Sequence, residues 1–211
     1  MAVAVVAAAV GFFWKYPLFR IVPLAGPGAG DTELPATVAF DAAAVAAKIW
    51  ETDLRAAADR AVELKSFAGF LRENPVEAKK RFAKSTDLGA AYYFVRGTGR
   101  VIAVDRNSVR IALDGPDRAI VALRTGPVFG NAVRDGSGVL DVNAFPGLQE
   151  FNALAAELNA LVEKKVIPGL REKATVGAEI SFAGCAEAPE TAGGADEPIL
   201  TLVPVQAGLR Q

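Results

Sequence analysis

The chain of 211 residues contains no histidine and a single cysteine, Cys185. Without histidine, it cannot build a Ser-His-Asp triad, a Cys-His pair or a metal site that uses imidazole ligands. One cysteine allows neither an internal disulfide nor a zinc site made of several thiolates. These absences exclude the common hydrolytic and zinc chemistries, and the sequence predicts no metal, no cofactor and no enzymatic activity.

A strong charge of either sign is also missing. The 23 Lys and Arg residues nearly balance the 24 Asp and Glu residues, for a formal net charge of −1. Proteins that bind nucleic acid concentrate positive charge on one surface, so no nucleic-acid partner is expected. The basic cluster in 79–84 is predicted to be the solvated face of a short helix.

The longest apolar run stands at the start, where residues 1–14 carry no charge. A signal-peptide core has about 7–15 apolar residues, whereas a spanning helix needs about 20. No basic residue precedes the run, and no cysteine lies near residue 20. With Lys15 and Arg20 reaching toward the lipid surface, the segment 1–24 is long enough for a marginal membrane anchor. The prediction is an apolar anchor or signal segment over 1–24, and a buried helix of a soluble domain is the alternative.

Glycine and proline recur between residues 25 and 38, which predicts a linker over 25–38. The remaining length suits one domain, and we place it at 39–208.

Two regions have the apolar period of amphipathic helices. Between residues 40 and 64, apolar residues recur every seven positions, which predicts a helix that packs on the core, with a coiled-coil partner face as the alternative. The two rows are Phe40, Ala47, Leu54 and Ala61, and Ala43, Trp50, Ala57 and Leu64. A continuation over 62–72 and a short helix over 74–84 follow, the latter opened by Asn74-Pro75. A second long helix is predicted from Phe151 to near Pro168.

After residue 89 the apolar period changes to two, which predicts short strands. The predicted strands are 91–95, 100–104, 109–113, 119–123, 175–183 and 199–205, and the predicted turns are 97–99, 105–108 and 114–117. The segment 185–198 is predicted to be a loop. A meander of this kind is typical of a small barrel. The predicted fold class is α+β, with N-terminal helices followed by a five- or six-stranded barrel or meander that contains one long inserted helix.

The order of several short segments resembles a bacterial family. The segments are 19–24, 40–41 with 49–50, 97–101 with 104–105, 126–135, 151–159, and 176–177 with 181–182. Together they are similar to the predicted periplasmic lipoproteins called domain of unknown function 2291, over residues 17–205. The resemblance implies an OB-like barrel on a domain tethered in the periplasm to the inner membrane. Many relatives carry a lipidated cysteine where this chain has Phe19-Arg20, so anchoring would depend on the apolar segment.

The resemblance implies no known reaction, and it implies genes beside sugar importers of the ATP-binding-cassette (ABC) type. We therefore expect a non-enzymatic, membrane-anchored accessory protein whose partners are the membrane and components of such an importer. The alternative is a periplasmic domain that binds a small sugar ligand. A third hypothesis is a polysaccharide hydrolase that uses two carboxylates. Its candidates are Asp105, Asp114, Asp117, Asp135 and Asp141.

The segment 126–135 is the best candidate for a functional surface. Glycine lets a backbone approach a partner closely, and arginine presents a planar fork of donors to carboxylates or sugar hydroxyls. The candidate binding residues are Gly126, Pro127, Asn131, Arg134 and Asp135. The alternative is a bulged, extended strand with an Arg-Asp pair on its surface. Cys185 has no basic neighbour in the sequence and is predicted to be a resting thiol in the loop.

Overall fold

The computed structural model describes residues 40–66, 68–85, 90–113, 119–189 and 196–210. The predicted anchor at 1–24, the linker at 25–38 and the turn at 114–117 lie outside these described residues. Within the described part of the chain, none of the helices has the length and apolar character that a membrane crossing requires.

The described residues form helices and strands that are largely grouped along the chain. The helical segments are α1 (Ala42–Ile49), a π-helical turn (Trp50–Leu54), α2 (Arg55–Asp59), a 3-10 turn (Leu64–Ser66), α3 (Ala68–Glu73), α4 (Pro75–Phe82), α5 (Ala132–Gly136), a second 3-10 turn (Val142–Ala144), α6 (Leu148–Lys165) and α7 (Ile167–Lys173). The strands are β1 (Val62–Glu63), β2 (Lys84–Ser85), β3 (Ala91–Val104), β4 (Ser108–Leu113), β5 (Ile120–Arg124), β6 (Glu179–Glu187) and β7 (Pro198–Leu209).

Five strands pair in a closed ring. β3 pairs with β4, β4 with β5, β5 with β7, β7 with β6, and β6 pairs back with β3. The β5–β7 pairing is parallel, and the other four pairings of the ring are antiparallel. β1 and β2 add short pairings to β3. This ring with helices before it and one long helix between β5 and β6 confirms the predicted α+β class.

The core has two layers because β3 side chains alternate between the two faces of the sheet. Val95 belongs to the inner cluster, inside the ring, together with residues of the other four strands and with Leu71 and Leu170 from the helices. Phe94 belongs to the outer cluster, where the outer face of the sheet packs against α1, α2, α5 and α6. The helices therefore cover one part of the outer surface of the barrel.

The first helical segment begins near the predicted residue but ends at Asp59, five residues before the predicted Leu64, and its buried face is partly different. Ala43 and Ala47 are exposed, whereas Ala46 and Ile49 are buried. From Trp50 onward, the positions that were predicted to face the core are buried. The π-helical turn at Trp50–Leu54 holds more residues per turn than an α-helix, so buried residues spaced by four stay on one face across it. The predicted seven-residue rows are therefore wrong in the first half of the helix.

Several element ends agree with the sequence analysis. α4 begins at Pro75, directly after Asn74, and ends at Phe82. α6 buries the predicted apolar face through Phe151 and Leu158 and ends before Pro168. The predicted helix continuation over 62–72 is interrupted, because β1 (Val62–Glu63) pairs with β3 before α3 begins.

The predicted turn at 97–99 is wrong, because β3 runs without a break from Ala91 to Val104. This strand pairs with β6 along one edge and with β4 along the other, from Gly99 onward. A Cβ atom at Gly99 would overlap the backbone carbonyl of Ala112 on β4. Glycine inside a strand marks a site of close backbone approach, and here it lets β3 bend within the barrel.

The predicted loop from Cys185 is also wrong at its start, because β6 continues to Glu187. Cys185 lies in the strand and is fully buried in the outer core cluster. Burial raises the pKa of its thiol far above the ordinary value, and the positive charge of Lys84 opposes this with a smaller effect. The side chain is a resting thiol, as predicted, but burial rather than the lack of a basic neighbour is the cause.

We expect native Cys185 to resist dithionitrobenzoate at a pH of about 8, where an ordinary thiol is partly ionised. Because the chain has one cysteine, absorbance reports this site alone. Labelling should become rapid only in concentrated guanidinium chloride, and a Cys185→Ser variant supplies the blank. A native protein that labels as fast as the denatured one would contradict the buried position.

Candidate functional site

The segment after β5 begins at a close backbone contact. The backbone N–H groups of Thr125 and Gly126 both donate hydrogen bonds to the carbonyl oxygen of Asn107, at 2.8 and 3.1 Å. A Cβ atom at Gly126 would lie only 2.8 Å from side-chain atoms of Asn107, so this position favours glycine. Pro127 is exposed. Gly126 therefore fixes the path of the chain as it leaves the barrel, and Pro127 follows it on the surface.

Residues 128–131, which we call the Phe129 loop, are held in place by α6. The Val128 N–H donates to Glu163 Oε1 at 2.7 Å, and Asn159 Nδ2 donates to the Gly130 carbonyl oxygen at 2.9 Å. Asn159 is buried, and Gly130 adopts a φ of 86° that favours glycine. Phe129 itself is 76% exposed, which makes it the most exposed large apolar side chain among the described residues.

Two hollows flank the Phe129 loop, each of about 460 Å³. The Tyr92 hollow lies toward the sheet and includes Arg124 and Glu187. The Asn159 hollow lies toward α6 and includes Ala156. Phe129, Gly130 and Asn131 line both hollows, so the loop forms a ridge between them.

Arg134 and Asp135 lie in α5, and each has only 8% of its side chain exposed. Arg134 Nε donates to Asp135 Oδ1 at 2.7 Å, and Nη2 donates to Oδ2 at 3.0 Å. A third donor, Nη1, reaches Asn152 Oδ1 of α6 at 2.7 Å. The guanidinium also lies 4.2 Å from the centre of the Phe151 ring. The donors of the Arg134 guanidinium, which were predicted to bind a ligand, therefore bind groups of the protein itself and join α5 to α6.

Residues 132–136 form the helix α5, and the ion pair of Arg134 and Asp135 is interior. The alternative of a bulged, extended strand with an Arg-Asp pair on its surface is therefore wrong at these residues. Of the five predicted site residues, Asn131 is the polar one that stays exposed beside the hollows. Tyr92, in the wall of the Tyr92 hollow, has a raised pKa, first because of burial and then because of the charges of Asp135 and Glu187.

Phe129, Asn159 and Glu163 were not predicted from the sequence as site residues. A signal existed for Asn159, because it lies beside the predicted buried positions of α6 and a polar residue there needs a partner. No comparable signal existed for Phe129, since an apolar residue is by default assigned to a core.

The predicted hydrolase carboxylates within the described residues have local partners. Asp105 accepts hydrogen bonds from Arg110 at 3.1 Å and Ser108 at 3.4 Å. Asp141 accepts from the Asn143 backbone and side chain, which caps the second 3-10 turn. Asp135 is paired with Arg134, and Asp114 and Asp117 lie outside the described residues. In the described part of the chain, no group of three or more Cys, Asp or Glu side chains is placed to hold a metal ion.

Comparison with known proteins gives a family and a fold. The family model described as predicted periplasmic lipoprotein (DUF2291) matches residues 5–207, which confirms the resemblance found in the sequence. The crystal structure of an OB-fold protein from Thermotoga maritima is similar, with a TM-score of 0.68 and 21% sequence identity. The similarity covers 81% of this chain and 99% of that chain, and it shows an OB-like fold. No curated protein matches the chain significantly.

Proposed function

Because the chain belongs to the predicted periplasmic lipoprotein family DUF2291, we propose that it is a non-enzymatic accessory protein that binds a partner protein through the Phe129 loop. The family places the protein in the periplasm, tethered to a membrane. The finer statements are part of the proposal: the membrane is the inner one, the tether is the apolar segment 1–24, and the partner is a component of a sugar importer of the ABC type. The resemblance stated from the sequence supports this choice of partner.

The observation that carries the proposal is an exposed aromatic ring on a braced loop. Single exposed apolar residues are ordinary on protein surfaces, and Leu148 and Val176 are each 69% exposed. Phe129 differs because hydrogen bonds from Asn159 and to Glu163 fix the backbone on both sides of it. A fixed backbone reduces the conformational entropy that the loop loses when it binds, and Phe, Tyr and Trp are enriched at protein interfaces.

The two hollows add shape to this surface. Phe129 is the ridge, and the hollows on either side can receive side chains of a partner. Their polar rims contain Arg124 and Glu187 on one side and Asn152 on the other, so the apolar ridge is bordered by groups that can form hydrogen bonds. An apolar centre with a polar border is the usual arrangement of a protein interface.

We expect Phe129→Ala to weaken binding of the importer component by about tenfold or more, equivalent to about 1.4 kcal/mol. Full-length tagged protein is purified from detergent-solubilised membranes, and enriched importer components are identified by mass spectrometry. The enriched component is then purified, and its affinity for the wild type and for the variant is measured.

Leu148→Ala is the matched control, because it removes an apolar side chain of similar exposure outside both hollows. Its affinity should equal that of the wild type. Glu163→Ala keeps the Phe129 ring but removes the acceptor of the Val128 N–H, so it should weaken binding by a smaller factor. Equal recovery with Phe129→Ala and wild type, or recovery of the protein without importer components, would reject the proposal.

A second candidate function is a periplasmic domain that binds a small sugar ligand. Arg134 and Asp135 are engaged with each other, so they are not proposed as ligand contacts. A different surface, on the outer face of β6, favours this candidate. The hydrolase hypothesis stays a prediction from the sequence.

A further inference from the structure

Polar side chains cluster on the outer face of the barrel where β6 runs between β3 and β7. The strand register places them in two rows, Thr98–Ser181–Gly208 and Arg96–Ala183–Gln206. Directly opposed residues of antiparallel strands have their side chains on the same face of the sheet. Ser181 is exposed there, so both rows face outward. We call the depression over these rows the Ser181 hollow.

The helical layer ends at this hollow instead of covering it. On the same outer face, the next row of β3, β6 and β7 consists of Phe94, Cys185 and Val203, and these residues are buried in the outer core cluster. Ala58 and Asp59, at the end of α2, border the depression. The hollow measures about 370 Å³, within the range of about 300–1,000 Å³ that small-molecule sites occupy.

The floor is open at Gly208, where an added Cβ atom would meet no other atom within 4 Å. Ala183, in the middle strand of the other row, is 3% exposed and belongs to the outer core cluster, so it lies at the covered edge of the hollow. The depth of the hollow therefore comes from the missing side chain at Gly208, with the polar side chains of Thr98, Ser181 and Gln206 around it.

The polar groups of the hollow suit hydroxyl-bearing ligands. The hydroxyls of Thr98 and Ser181 and the carboxamide of Gln206 can each both donate and accept hydrogen bonds, as a ligand hydroxyl can. Among the described residues, Ser181 Oγ forms one hydrogen bond, a long one of 3.4 Å to the Gly208 carbonyl oxygen. A ligand can therefore compete for this hydroxyl at low cost.

The charges at the rim disfavour an anion. Arg96 Nε lies 3.6 Å from Glu63 Oε2, and both side chains are partly exposed. Asp59 adds a second carboxylate, and the described residues of the lining include no further cation. Two carboxylates and one guanidinium give a local formal charge of −1, which repels phosphates and sugar acids and leaves neutral ligands unaffected.

We propose that the Ser181 hollow is a binding site for a small neutral polyhydroxylated molecule, of about the size of a monosaccharide. The inference rests on the second candidate function and does not involve the Phe129 loop. Thr98, Ser181 and Gln206 hold the ligand hydroxyls, and Arg96 and Glu63 supply a donor and an acceptor at the rim.

The test fills the hollow without disturbing the packed core. Gly208→Phe places a ring in open space on the outer face of β7, and Gly169→Phe is the matched control, because an added Cβ at Gly169 of α7 also meets nothing within 4 Å. The probes are glucose, galactose and xylose, with glucuronate as the charged comparison. Binding is followed by the backbone amide resonances of the 15N-labelled protein.

We expect at least one neutral sugar to give saturable shifts at Thr98, Ser181 and Gln206, with a dissociation constant of about 1 mM or tighter. Glucuronate should bind more weakly than glucose. Gly208→Phe should weaken the binding by about tenfold or more, and Gly169→Phe should leave it unchanged. Because a bulky residue can also affect folding, Gln206→Ala provides a second variant that should weaken the same sugar.

The absence of saturable shifts with all three sugars would overturn the proposal. It would also be overturned by shifts confined to another surface, or by unchanged binding in both Gly208→Phe and Gln206→Ala. Phe129→Ala should bind the sugar like the wild type, so failure of the docking surface and failure of the Ser181 hollow are observed separately.

Discussion

Asp135→Ala is expected to lower the free energy of unfolding by about 3–5 kcal/mol, because it leaves the Arg134 guanidinium buried without its counterion. Arg134 has 8% of its side chain exposed, so water cannot replace the lost carboxylate fully. Two of its donors lose their acceptors at once, those now 2.7 and 3.0 Å from Asp135. The Asn152 contact and the Phe151 ring remain, but neither carries a negative charge.

Urea unfolding followed by circular dichroism measures this loss, and the midpoint should fall with little change in slope. Asp105→Ala is the control, because Asp105 also pairs with an arginine, Arg110 at 3.1 Å, but on the surface. An exposed pair contributes about 0–1 kcal/mol, so this variant should remain close to the wild type.

A double variant separates the cost of an unpaired charge from the value of the pair. Arg134→Met with Asp135→Leu removes both charges and keeps apolar volume, so it should recover much of the stability that Asp135→Ala loses. If Asp135→Ala and Asp105→Ala have the same small effect, the pair is not buried as the structure has it. If the double variant is less stable than Asp135→Ala, the pair contributes more than the charge balance alone.

Elements with a clear local period could be predicted from the sequence. β4 alternates cleanly and β5 is a short apolar run, and both strands lie within one residue of the predicted spans. α6 shows a stripe of large residues, and its buried face agrees with it. The buried face of α1 does not agree with the predicted rows, because alanine occurs on all sides of that helix and several different rows of residues appear apolar. The π-helical turn then changes the phase in a way that no sequence period indicates.

The site was less predictable because its properties come from contacts between distant segments. The neighbours Arg134 and Asp135 suggested an ion pair, and the structure contains one. Its burial depends on Phe151 and Asn152 of α6, whose position relative to α5 no local pattern gives. The exposure of Phe129 likewise depends on α6, which braces the loop and leaves the ring outside.

The glycines of β3 show the same limit, since glycine is typical both of turns and of close approaches between strands. We expect Gly99→Ala to lower the free energy of unfolding by about 3 kcal/mol, the upper part of the usual range for overpacking. The added Cβ would overlap the Ala112 carbonyl and approach Ile111 to 2.8 Å, and a paired strand backbone cannot move aside without opening the ring.

Gly208→Ala is the matched control, because Gly208 also lies in a barrel strand but has open space at its Cβ position. Removing glycine restricts the unfolded chain, so this variant should be neutral or more stable by up to about 1 kcal/mol. If β3 is continuous, chemical denaturation therefore shows a large loss of stability for Gly99→Ala and no loss for Gly208→Ala. A turn at 97–99 would leave the side chain at residue 99 in solvent, and Gly99→Ala would then cost little. The pair of variants thus distinguishes a bent barrel strand from a hairpin by a single comparison of stabilities.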